Sequence, residues 1–195
     1  MITIDQLTIK RDGNAILTNF SAQIPAGSIT VIVGSNGSGK STLLAAIAGD
    51  LAPDSGTIRI DETYPDFASA TELASLRSMA IQNQVFNLGF TVRQIIELAG
   101  PAESVMQALE LSEIADRLVT TLSGGEAQRV AIAQAIAQDV PVLLLDEPLS
   151  AQDLPSRQRI ITLLQTLAES GRTIVVVAHS SESELAWADQ IINNL

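Results

Sequence analysis

Eight consecutive residues, Gly34-Ser35-Asn36-Gly37-Ser38-Gly39-Lys40-Ser41, carry the clearest chemistry in the chain. Glycines let the backbone wrap closely around an anion, so that its N–H groups point inward at phosphate oxygens. Lys40 adds a cation that reaches the outer phosphates, and Ser41, followed by Thr42, supplies a hydroxyl able to ligate Mg²⁺. The spacing fits GxxxxGK[ST], the pattern of phosphate-binding P-loops. Its flanks agree. Ser28–Val33 reads as a buried β-branched strand, and Leu43–Gly49 as a helix ending on a glycine suited to its C-terminal cap. That helix brings the positive end of its dipole to the loop.

Two further groups fit the same chemistry. Leu143-Leu144-Leu145-Asp146-Glu147-Pro148 is an apolar strand ending in two carboxylates. Standing alone it reads as an acidic turn after a core strand. Downstream of a P-loop, Asp146 is placed to hold Mg²⁺, through water, and Glu147 to polarise an attacking water as general base. Leu122-Ser123-Gly124-Gly125-Glu126 precedes an alanine-rich helix over Glu126–Gln138. There Ser123 and the N–H groups of Gly124 and Gly125 cap the helix and present a second anion site.

With LSGGEAQRV in view, the sequence resembles the ABC ATPase family over essentially its whole length. The resemblance implies that Ser123, Gly124, Gly125 and Glu126 bind the γ-phosphate of an ATP held by another subunit. Two subunits then close head-to-tail over two ATPs, as a homodimer. Gln84 resembles the glutamine that touches Mg²⁺ and the attacking water and links the core to a helical lobe; Gln82 competes for that role. Ser150-Ala151-Gln152-Asp153 resembles the D-loop, usually SALD, with Gln152 departing from the leucine and Asp153 in register. His179, the chain's only histidine, resembles the residue that contacts the γ-phosphate. The family stacks an aromatic on adenine near residue 11. Here Lys10-Arg11-Asp12 stands in its place, and Arg11 is left to stack its guanidinium plane on the base. The implied cofactors are ATP and Mg²⁺, with GTP a competitor at the base site.

These groups need an α/β scaffold to converge. Alternating apolar residues at Ile2, Ile4, Leu7 and Ile9, the turn Asp12-Gly13-Asn14 and the run Ala15–Ile24 predict N-terminal β strands, antiparallel in the resembled family. Strands are expected at Thr57–Ile60, Met79–Gln82, Val140–Leu145 and Thr173–Ala178, with helices near residues 66–78 and 156–170 and a last helix and strand. Strands alternating with helices predict a largely parallel sheet covered on both faces. The expected fold is a P-loop NTPase core of the RecA-like kind, one domain over 1–195. Residues 1–85 and 139–195 form the α/β core, and 86–138 an inserted helical subdomain.

Composition narrows the function. The 195 residues carry 11 Lys+Arg against 22 Asp+Glu, a net charge of −11, which argues against a nucleic-acid partner. There is no cysteine, so disulfides and thiolate metal sites are excluded. No signal peptide and no apolar run of about 18 residues stand in the sequence. The protein is therefore expected to be cytoplasmic, peripheral on the inner face of the cell membrane, working through an integral membrane transporter subunit. The chain stops after its last strand, with no C-terminal regulatory domain expected. Asn87-Leu88-Gly89-Phe90-Thr91-Val92 resembles the corresponding stretch of importers for haem, iron chelates and cobalamin; Phe86 and Phe90 read equally as partner contacts or core. A soluble ABC ATPase of iron–sulfur assembly is the alternative. A nucleic-acid mechanoenzyme is disfavoured by the charge and the single P-loop, and a non-hydrolysing regulator by intact Lys40, Glu147 and His179.

Overall fold

The computed structural model describes residues 1–82, 84–87, 89–179, 184–193 and 195. In chain order its elements are β1 (Ile2–Arg11), β2 (Asn14–Ile24), β3 (Ile29–Val33), α1 (Lys40–Ala48), β4 (Ser55–Ile60), α2 (Ala70–Leu76) and β5 (Arg77–Ala80). They continue with α3 (Val92–Glu97), α4 (Glu103–Ala108), α5 (Gly124–Ala137), β6 (Val142–Asp146), α6 (Leu154–Glu169), β7 (Thr173–Ala178) and β8 (Gln190–Ile192). The first, second and fourth strands make an antiparallel sheet in the order β2-β1-β4. The other five make a parallel sheet in the order β5-β6-β7-β3-β8.

The period of two along the parallel strands sorts their side chains onto two faces. Val31, Val33, Leu143, Leu145, Ile174 and Val176 pack with the helices of residues 92–137 and with Ile160 and Leu164 of α6. Ile32, Val142, Leu144, Val175 and Val177 pack with α1 and the antiparallel sheet. Every residue of β3, β6 and β7 is buried, which accounts for their unbroken apolar runs. The described helices between β5 and β6 share the first of these cores with the sheet. Phe86 and Phe90 are partly buried against it.

The helix expected over 66–78 is shorter. Ser69 accepts from the Glu72 N–H and the Glu72 carboxylate accepts from the Ser69 N–H, a capping box that starts α2 at Ala70. The helix stops at Leu76 because Arg77–Ala80 are drawn into pairing with Val142–Leu145. The strand expected over Met79–Gln82 is thus shifted back by two residues. The last expected strand is β8; residues 180–183 lie outside the described residues, as do Asn83, Leu88 and Asn194. No helix among the described residues is long and apolar enough to cross a membrane.

Candidate active site

The site forms where parallel strands end, the usual position for a ligand crevice in an open α/β sheet. Val33 lies opposite Ala178, Val177 opposite Asp146, and Leu145 opposite Ala80. One or two residues beyond these pairs stand Gly34, His179, Glu147 and Gln82. Four segments far apart in sequence therefore deliver their groups to one edge.

The loop after β3 wraps into the N-terminus of α1. Gly39 is the cap of that helix in a left-handed conformation, φ 100°. A Cβ there would stand 3.0 Å from Ile16 Cγ2 and Leu17 Cδ2, so the position excludes a side chain on both counts. Lys40 is only 5% exposed. Its ammonium donates to the Gly34 and Ser35 carbonyl oxygens at 2.9 Å each. Burial lowers the Lys40 pKa from its ordinary value, opposed by the charges of Glu147 and Asp146. Its ammonium is thereby fixed at the loop by the two carbonyl oxygens, at the place where a phosphate would sit.

Asp146 is buried as the last residue of β6, and its Oδ1 has no hydrogen-bond partner. A buried carboxylate oxygen without a donor suits a cation. Glu147 follows with φ 50°, unusual for a non-glycine residue. Its N–H donates to the Val177 carbonyl oxygen at 3.0 Å, while its own carbonyl accepts from Ser150 N–H and Ser150 Oγ–H. The bend turns the carboxylate to the strand ends. There Glu147 Oε1 lies 2.7 Å from His179 Nε2, and Glu147 Oε2 accepts from Gln82 Nε2 at 2.5 Å.

A cleft of about 820 Å³ gathers these groups. Of the residues expected from sequence it brings together Asn36, Gly37, Gly39, Lys40, Ser41, Thr42, Glu147, His179 and, on its rim, Arg11. Gln82 lines it and Gln84 does not. Of the two glutamines that compete for the role, the structure brings Gln82 to the cleft, where the sequence favours Gln84. Because β5 ends at Ala80, in register with Leu145, Gln82 comes level with Glu147, and Gln84 is two residues further on. Ile16, which sequence reasoning did not single out, also lines the cleft. Nothing but its place two residues into β2 marks it in the sequence.

Ser123, Gly124, Gly125, Glu126 and Asp153 do not line the cleft. Ser123 caps α5, accepting from the Glu126 N–H, and the Glu126 carboxylate accepts from Ser123 N–H and Oγ–H at 2.8 Å each. These bonds hold the Glu126 carboxyl below its ordinary pKa, helped by Arg117 at 2.8 Å. Ser123 and Gly124 are exposed, and nothing lies within 4 Å of a Cβ placed on Gly124. Asp153 caps α6, and its bonds with Ser156 lower its pKa.

Comparison with known proteins agrees with this geometry. The model of the ABC transporter family matches residues 17–150, from beside the phosphate loop to just past the acidic pair. A hemin import ATP-binding protein of Rhodococcus jostii is 35% identical, over 96% of this chain and 69% of that protein. A hemin import ATP-binding protein of Rhizobium meliloti is 34% identical, over 98% of this chain and 81% of its own. A solved dimeric ATP-binding cassette in a post-hydrolysis state, bound to ADP and Pi, superposes with a TM-score of 0.87 at 28% identity, covering 99% of this chain and 94% of the other. With an intact phosphate loop, acidic pair and capped signature helix on a fold of that kind, the chain belongs to the ABC transporter family as an ATP-binding, ATP-hydrolysing subunit.

Proposed function

We propose that the chain is the motor of a hemin-type importer, working as two copies closed head-to-tail and docked from the cytoplasmic side on an integral membrane subunit. One observation carries the two-copy reading. Lys40, Ser41, Gln82, Glu147 and His179 share one cleft, while the exposed cap at Ser123 and Gly124 stands outside it. An anion site so displaced serves an ATP bound by a second copy. The dimeric cassettes among the structural neighbours support this arrangement. The import reading rests on the names of the relatives, hemin import proteins above all.

Within each cleft, backbone N–H groups of residues 34–42 would cradle the phosphates and Lys40 would reach the γ-phosphate. Ser41 and Asp146 are the residues that would hold Mg²⁺, and the unpartnered Asp146 Oδ1 supports that fit. When bound, the ion neutralises charge on the β- and γ-phosphates. Glu147 would accept a proton from the water whose oxygen bonds to the γ-phosphorus, while the bond from that phosphorus to the β–γ bridging oxygen breaks, releasing ADP and inorganic phosphate. Gln82 and His179 hold the Glu147 carboxylate from either side, and His179 would donate to a γ-phosphate oxygen once ATP is bound. Arg11 stacks on the base. Residues 86–138 act as the lobe that meets the membrane subunit, with Gln82 at its junction with the core.

The test is recovery from detergent-solubilised membranes. An integral membrane protein co-purifying in stoichiometric amount, and releasing transport-coupled ATP turnover, is expected. Recovery solely with soluble assembly partners would overturn the import reading.

A further inference from the structure

We infer that Gln152 is a positioning residue that ties the general base of one ATP site to the anion cap offered to the other. Gln152 is 7% exposed, rare for an amide side chain, and both ends of its amide are used on α5. Its Nε2 donates to the Gly125 carbonyl oxygen at 3.0 Å, and its Oε1 accepts from Arg129 Nη1 at 3.2 Å. The contact is close along the backbone as well. A Cβ on Gly125 would stand 2.8 Å from the Ala151 carbonyl oxygen, so the glycine is what allows the two segments to touch.

Each end of this bridge leads to a site. From Gln152 back to Glu147 the chain turns through local backbone hydrogen bonds of 3.2–3.4 Å. The Gln152 N–H donates to the Leu149 carbonyl, and the Ser150 N–H to the Glu147 carbonyl. Forward, Asp153 caps α6 and Arg157 Nε–H donates to the Gln152 carbonyl at 3.1 Å. The segment 147–153 is thus a hydrogen-bonded strap whose first residue is the left-handed Glu147. At the other end, Gly125 belongs to the first turn of α5, beside Ser123 and Gly124. A shift of that turn against an anion pulls on Gln152, and through the strap on the Glu147 backbone. The leucine usual at this position in the family makes neither bond. Arg129 carries a buried Nε–H without a partner, so loss of Gln152 Oε1 would leave a second donor of the same guanidinium unmet.

The inference rests on the two-copy reading above. It is tested with the full-length chain as Gln152→Leu and Gln152→Glu, each assayed for ATP affinity and for turnover per nucleotide-binding site. Gln152→Glu keeps the acceptor for Arg129 and loses the donor for Gly125, and it serves where the leucine variant fails to fold. Both variants are expected to bind ATP within about twofold of wild type and to lose about tenfold in kcat, the scale set by one buried unmet hydrogen bond. The bridge is overturned if either variant hydrolyses within twofold of wild type, or if ATP affinity falls in parallel with kcat. A wild-type chain that binds ATP yet neither pairs nor hydrolyses would sink the two-copy reading and the bridge together. That failure appears in the wild type, not in the variants, so the two are distinguishable.

Discussion

Gln82 Nε2 donates to Glu147 Oε2 at 2.5 Å, joining the residue two places beyond β5 to the residue one place beyond β6. The register of these strands brings Gln82, not Gln84, level with Glu147. Gln82→Ala is accordingly expected to lower kcat by about tenfold or more, less than the loss of the proton-transfer group itself, with ATP affinity little changed. Gln84→Ala should stay within about twofold of wild type. Steady-state ATPase assays of the two variants side by side decide the matter, and equal losses would reverse the assignment.

Glu147→Gln keeps the shape of the side chain and removes its basicity. Hydrolysis should fall by at least about 10²-fold, while ATP still binds at Lys40 and the P-loop. Size-exclusion chromatography with ATP and Mg²⁺ should then show a persistent dimer. Turnover near the wild-type rate would remove Glu147 from its role as base.

Arg11 lies on the rim of the cleft where the family places an aromatic, and the described structure gives its side chain no acidic partner. If its guanidinium stacks on the base, Arg11→Ala should weaken ATP binding by several-fold, on the order of 1 kcal/mol. Arg11→Tyr should restore it. Competition between ATP and GTP measures the base preference in the same assay; affinities unchanged in the alanine variant would dismiss the stack.

The Glu126 carboxyl has its pKa lowered in the folded chain by bonds from Ser123 and by Arg117. A carboxylate lowered in this way stabilises the fold above the ordinary glutamate range. The contribution disappears as pH falls through the lowered value. Its ion-pair partner Arg117 is 43% exposed, so water screens the pair and the expected effect is small, about 1–3 °C in Tm. Glu126→Gln should melt below wild type at neutral pH and converge with it on acidification. Thermal unfolding at a series of pH values tests this, and a constant gap across the acid range would contradict it.

Residues that work through their immediate neighbours were legible in the sequence. The phosphate loop is eight consecutive residues whose glycines and lysine act through local backbone geometry, and Asn36, Gly37, Gly39, Lys40 and Ser41 of it line one cleft. The Ser123–Glu126 cap is likewise written in a four-residue spacing, because a capping box needs only one helical turn. Asp146 and Glu147 announce themselves as charges at the end of an apolar strand. What the tertiary structure alone decided is which distant groups meet these residues. The choice of Gln82 over Gln84 turns on where β5 stops pairing with β6, a matter of register between strands 65 residues apart at the contact itself. The boundary of α2 moved for the same reason, since Arg77–Ala80 gain more from the sheet than from another helical turn. Gln152 carried a sequence signal, a departure from leucine, without its meaning. The amide finds Gly125 and Arg129 only once α5 and the strap after β6 are packed together, and local sequence holds no record of that contact.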